Sequence, residues 1–236
     1  YQQWRRTGVI VDDSAPGVPT FMDARDTSHS FTSGALRGGT HRHEFSGDGG
    51  WIGFTYNDAL MKKLEDSTGI NYNLRTIGVS KKGKKVIVND TLKDENFSGE
   101  WYSALVVKVV SGPKKGSDEI SRAAGDSWVG INGYKKQDGT MQRARAFIGT
   151  VRDKTGNEID EVFVVDIPDC ISCVGEEGPL EGTKSSFPAT PAGTVQRRLT
   201  NTSVWKFSGC EGVVRSAYDG SMLAFLAYDV NGIKQV

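Results

Sequence analysis

The chain has 236 residues with 29 basic and 29 acidic side chains, so no net field draws it toward nucleic acid or anionic lipid. Its mean hydropathy is −0.41, and its longest apolar runs, "ALVV" and "VFVV", fall far short of the roughly 20 residues that span a bilayer. Those bounds predict a chain without membrane insertion, without specific nucleic-acid binding, and large enough for a sizeable core.

The chain opens "YQQWRRTGVIVDD", without an initiator Met or an apolar signal region, which reads as a processed or excised segment. "DSAPGVPT", residues 13 to 20, is a loop by composition. The three histidines follow, His29, His41 and His43, within fifteen residues. If 40 to 45 is a strand, His41 and His43 project from one face.

"SGDGGWIGFTYND", residues 46 to 58, reads as a glycine turn feeding a strand that ends in a helix cap. Trp51, Gly53 and Thr55 share one strand face, and Ile52, Phe54 and Tyr56 the other. A helix follows over "YNDALMKKLEDSTG": Asn57 or Asp58 caps it, Leu60, Met61 and Leu64 share a face, and Gly69 ends it.

Beyond the helix, strands are predicted at 84 to 89, 101 to 110, 143 to 151 and 159 to 167. Val86, Val88, Val107, Val109, Phe147, Val162 and Val164 are their inward positions. "SKKGKK" and "RDKTGNE" place Gly where a hairpin needs positive φ. Residues 174 to 196 form a long Pro/Gly-rich loop between a main β domain, 1 to 173, and strands in 197 to 236 that complete the same domain. The fold class is mainly β, an antiparallel β-sandwich or jelly-roll-like domain with one short helix and long loops.

Acidic glycine turns before an aromatic recur in "FSGDGGW", "FSGEW" and "AGDSW", and "FSGCEGV" shares part of the pattern, which raises internal repetition. Cys170 and Cys173 form a CxxC, suited to a local disulfide or two thiols, and Cys210 is left over. Sequons occur at Asn89, Asn96 and Asn201, each of which also fits an ordinary polar turn, so localisation is left open between compartments, with an extracellular or virion setting favoured.

"THRHEF" resembles the first His-x-His motif of cupins, with Gly34 upstream and Asp48 where a carboxylate ligand would stand. That resemblance implies a metal on His41 and His43, with His29 as a third ligand. The acid is Asp where the family has Glu, and no downstream His supplies the second motif, so no metal or other cofactor is expected. Arg42 and Glu44 form an Arg-x-Glu that resembles the start of jelly-roll polysaccharide lyases. It implies His41, Arg42 and Tyr56 as base, carboxylate-neutralising cation and acid. The companion motifs of those lyases are absent. "NEIDEV" pairs Glu158 with Asp160 on one face against Glu161 on the other, without the close carboxylate pair of a retaining glycosidase.

Trp51, Trp101 and Trp128, beside turns, are candidate stacking platforms for sugar rings, against the commoner role of Trp as core. Lys81, Lys82, Lys84 and Lys85 around Gly83, with Lys114 and Lys115, are candidate readers of an anionic patch or solvated turns. The expected function is therefore a non-enzymatic structural or adhesive module of a virion, phage tail or extracellular surface. Its expected partners are protein subunits, in a homo-oligomer, or glycans. The alternative is a carbohydrate-active enzyme using the His41 to Tyr56 region.

Overall fold

The computed structural model describes residues 3–28, 31–89 and 96–236. Among these the chain is mainly antiparallel β with one α-helix, in a β-sandwich-like arrangement without a closed barrel. A hairpin of β1 (Val9–Val11) and β2 (Pro19–Phe21) and a short parallel pair, β3 (Ala24–Arg25) and β4 (Ala35–Leu36), lead into three meanders. The first contains β5 (Gly38–Phe45), β6 (Trp51–Asp58), β7 (Thr76–Lys81) and β8 (Tyr102–Leu105) in that spatial order. The second starts with β9 (Arg122–Trp128), makes a small hairpin of β10 (Tyr134–Lys135) and β11 (Met141–Gln142), and continues through β12 (Ala144–Arg152), β13 (Glu158–Asp166) and β14 (Val195–Arg198). The third is β15 (Cys210–Ser216), β16 (Leu223–Tyr228) and β17 (Lys234–Gln235).

The turns repeat between meanders. After β5, Gly49 has φ 67°, its N–H donates to Ser46 O, and Asp48 Oδ1 accepts from Gly50 N at 3.0 Å. After β15, Gly220 has φ 76°, its N–H donates to Ala217 O, and Asp219 Oδ1 accepts from Ser221 N at 3.0 Å. An Asp-Gly turn thus joins the first two strands of both meanders, because Asp caps the turn and only Gly takes the left-handed angle without strain. The next turn is Asp-x-x-Gly in both β12–β13 and β16–β17, where Asp153 and Asp229 accept from the backbone ahead. In the first meander the equivalent acid, Asp58, caps α1 (Ala59–Thr68) instead, accepting from Leu60 N and Met61 N, and Gly69 closes the helix at φ 72°. The aromatic recurrences fall elsewhere: "FSGEW" precedes β8 and "AGDSW" lies inside β9.

The sheets stack in chain order, with β6 and β7 against β9, and β9, β12 and β13 against β15. Every residue of β6 is buried, so both of its faces are core. Ile52, Phe54 and Tyr56 pack with Met22, Leu36, Trp101 and Leu105, while Trp51 joins the larger cluster built around Ile77, Phe147 and Phe163. All seven predicted inward positions are buried.

Two expectations need correction. Residues 84–89 form no strand, pairing only through an isolated bridge between Val86 and Gly99. The ladder stops there because Val88 N donates to the Ser98 side chain rather than to a backbone carbonyl. The strand predicted over 101 to 110 ends at Leu105, where Val106 N and Val107 N both turn onto Ile77 O. Cys170 and Cys173 form a disulfide, and Cys210 is a buried free thiol.

Candidate functional site

His41 and His43 do not share a face. His41 pairs with Thr55 and Glu44 with Gly53, so Arg42 and His43 both stand opposite Phe54 in a β-bulge. Arg42 sits at φ 57°, unusual for a side-chain-bearing residue. The extra residue reverses the alternation. His43 Nε2 lies 3.0 Å from Thr40 Oγ1 and its ring is near Phe54, whereas His41 stays on the Thr55 side, toward the second meander. His29 lies outside the described residues, and among those described no three His, Cys, Asp or Glu side chains gather for a metal. Asp48 is committed to its turn and to Arg143 at 2.8 Å, which hold its pKa down to about 2.

Tyr56 is fully buried on the face opposite His41. Its hydroxyl donates to Asp58 at 3.1 Å, and burial, then the Asp58 charge, raise its pKa well above the ordinary tyrosine value. Asp58 also accepts from Arg37, whose guanidinium reaches Thr183 O and Ser186 O and so ties the long loop to the core. His41, Arg42 and Tyr56 are therefore not brought to one point. Trp51, Trp101 and Trp128 are 5, 5 and 9% exposed, and the Arg143 guanidinium lies over the rings of Trp51 and Trp128. Lys81 donates to Asp169 O, Lys85 pairs with Glu100 at 2.6 Å, and Lys84 lies over the Tyr102 ring.

The polar chemistry gathers instead between the first two meanders. Arg145 on β12 is fully buried, bonded to Asp126 through Nε at 2.8 Å and also through Nη2, and lies 3.3 Å from Glu44. Its guanidinium packs on Trp128 and on Gly53, where a Cβ would fall 2.0 Å from Nη1. Asp126 also accepts from Thr55. Across the ladder from Thr55, His41 on β5 has a buried Nδ1 without a hydrogen-bond partner among the described residues, and burial, then Arg75 and Arg6, lower its pKa to about 4. Its imidazole is neutral at pH 7.

This layer opens into a cleft of about 870 Å³ where the ends of all three meanders meet. Asn57 closes β6 there, Arg75 precedes β7, Arg122 begins β9, Thr150 and Arg152 end β12, and Asp160 stands near the start of β13. Asn57 is 6% exposed, and its side-chain oxygen has no hydrogen-bond partner among the described residues. The Ala123 N–H donates to Arg75 O at 2.9 Å, which sets Arg75 beside Arg122. Burial, then the charges of Arg122, Arg6 and Arg42, lower the Arg75 pKa. The facing wall is acidic but partnered: Asp160 accepts from Thr150, Glu158 lies 4.0 Å from Arg152, and Glu211 pairs with Lys234 at 2.6 Å. Asn57 was read from sequence only as a helix cap, and Arg75 and Arg122 carried no local signal at all.

Residues 1–96 match a family described as "Protein of unknown function (DUF3748)". Over 242 aligned residues the chain is 37% identical to "Uncharacterized protein YidR" of Escherichia coli (strain K12), with all of this chain covered and 54% of the relative. The chain thus spans about half the length of that curated relative. No solved structure matches.

Proposed function

We propose that the protein is a non-enzymatic binding module that takes a glycan in the cleft where its three meanders meet. The observation that carries this reading is the composition of that cleft: Asn57, Asn73, Thr150, Asp160, Arg75 and Arg122, all from strand ends or short connections, face one space large enough for a few sugar units. Amide, hydroxyl, carboxylate and guanidinium groups supply both donors and acceptors for vicinal hydroxyls. Rigid strand ends hold them, so little ordering cost opposes binding. This reading moves the glycan contact away from Trp51, Trp101 and Trp128, whose indoles fill the core.

The enzymatic alternative draws on His41, neutral at pH 7 and under the influence of Arg75 and Arg6. A base with a pKa of about 4 is weak at neutral pH, since proton abstraction is most efficient when the base pKa is near the working pH. Tyr56 is also buried away from His41, which leaves the lyase-like trio without an acid at that point. Both facts favour binding over turnover. A glycan-array screen of the intact protein tests the reading. Binding to a defined glycan set, weakened by Asn57→Ala and unaffected by Lys82→Ala at the distant hairpin tip, is expected. Binding that ignores Asn57 but follows Lys82 would refute it.

A further inference from the structure

We propose that the Cys170–Cys173 pair is a redox-active disulfide that accepts two electrons from a dithiol substrate, with the lysines around Gly83 receiving the leaving sulfur. The site shares no lining residue with the cleft and stands independently of the glycan reading.

Three observations converge. First, the bond adds little to the fold. Only Ile171 and Ser172 lie between its cysteines, Cys173 N–H already donates to Cys170 O at 3.3 Å, and a cross-link across so short a loop removes little entropy from the unfolded chain. The turn is also pinned without it: Ile171 is buried in the core, Ala192 N donates to Cys173 O at 2.8 Å, and Lys81 Nζ donates to Asp169 O at 2.6 Å. Second, Cys170 and Cys173 are both exposed, so a substrate thiol reaches the bond without unfolding. Third, the two sulfurs have different surroundings. Cys170 lines a pocket of about 400 Å³ with Lys81, Lys82, Lys84, Asp169 and Tyr102, and Cys173 stands outside that lining. The ammonium groups of the three lysines there outnumber the Asp169 carboxylate; Glu181 bears on Tyr102 from the long loop, and burial keeps the Tyr102 hydroxyl protonated. A pocket with excess positive charge stabilises a thiolate, so Cys170 is the better leaving group of the two.

The exchange follows from that asymmetry. One thiolate of the substrate attacks Cys173 Sγ, a substrate–Cys173 bond forms, the Sγ–Sγ bond breaks, and Cys170 leaves with the electron pair as a thiolate beside the lysines. The second substrate thiol gives up its proton, attacks the substrate sulfur of the mixed disulfide and expels Cys173 as a thiolate. The substrate ends as a disulfide, the cysteine pair holds its two electrons, and the protons it released pass to the cysteines or to solvent. A small disulfide such as oxidised glutathione, reacting through the same steps in reverse, re-forms the bond and is itself reduced to two thiols.

Dithiothreitol, a dithiol, tests the site on the oxidised full chain without denaturant, with iodoacetamide alkylation read residue by residue by peptide mass mapping. Millimolar dithiothreitol should open the bond while the circular dichroism spectrum and the shielding of buried Cys210 from alkylation stay unchanged, and oxidised glutathione should close it again. In the reduced protein Cys170 should alkylate about tenfold or more faster than Cys173 at pH 7, with an apparent pKa of about 7.5 or lower against about 8.5 for an ordinary thiol. Combining Lys82→Gln with Lys84→Gln, both at exposed positions, should cut that advantage by about threefold or more and raise the apparent pKa with the fold intact. A bond that dithiothreitol cannot open in the folded chain, or whose opening exposes Cys210, overturns the proposal by making the disulfide structural. Equal alkylation of Cys170 and Cys173, or a Cys170 rate indifferent to the two lysines, overturns it as well.

Discussion

Gly53→Ala tests the buried layer on which the cleft is built. The new Cβ would lie 2.0 Å from Arg145 Nη1 and 2.2 Å from Cζ, about 1.5 Å inside ordinary van der Waals separation. The guanidinium cannot move aside, since it is fully buried, packed on Trp128, and bonded to Asp126. Relief therefore requires breaking the Arg145–Asp126 pair or displacing β6 from the second meander. Separating a buried pair costs about 3–5 kcal/mol, a large share of the 5–15 kcal/mol typical of a domain. At roughly 2–4 °C per kcal/mol for a chain of this size, the melting temperature should fall by about 6–20 °C. Urea unfolding and a thermal melt followed by circular dichroism measure both quantities. Gly17→Ala is the control, because open space surrounds that position and it should change stability by less than about 0.5 kcal/mol. A Gly53→Ala protein as stable as the Gly17→Ala control would refute the packing argument.

Phe54→Ala should destabilise by roughly 3–5 kcal/mol, as expected for a fully buried aromatic, whereas His41→Ala should change stability little at pH 7, read in paired urea titrations. In acid, His41 acts in a definite direction: its folded pKa of about 4 lies below the unfolded value of 6.5, so wild type loses stability as pH falls from 6.5 toward 4, and His41→Ala should lose less. Asp23 acts oppositely. Burial raises its pKa to about 6, against donors from Gly8 N, Thr40 and Thr7, so its contribution is full below 3.8 and is lost as pH rises through 6. Wild type should therefore gain stability relative to Asp23→Asn when the pH is lowered from 7 to 4, measured as the difference in unfolding free energy between the two proteins.

What the sequence revealed followed locality. The helix was readable because its capping acid and closing glycine are neighbours of the residues they serve, Asp58 to Leu60 and Met61, and Gly69 to Glu65. The hairpin at 153–157 was readable for the same reason. The bulge was not, because Arg42 takes a left-handed angle that nothing in its residue type announces, and one inserted residue sends His41 and His43 to opposite faces. The turns shared by the meanders are marked not by the aromatic that follows but by the Asp-Gly or Asp-x-x-Gly that satisfies the turn backbone. The cleft was illegible because Asn57, Arg75, Arg122 and Asp160 come from separate strands and meet only through long-range pairing.

The most direct measurement is a crystal structure of the protein soaked with the tightest-binding glycan from the array. The account predicts sugar density in the cleft, with hydroxyls within hydrogen-bond distance of Asn57 and Asp160. Sugar bound instead at the lysine-rich tip around Gly83, or on the outer face of β16 and β17, with the cleft holding only solvent, would contradict it.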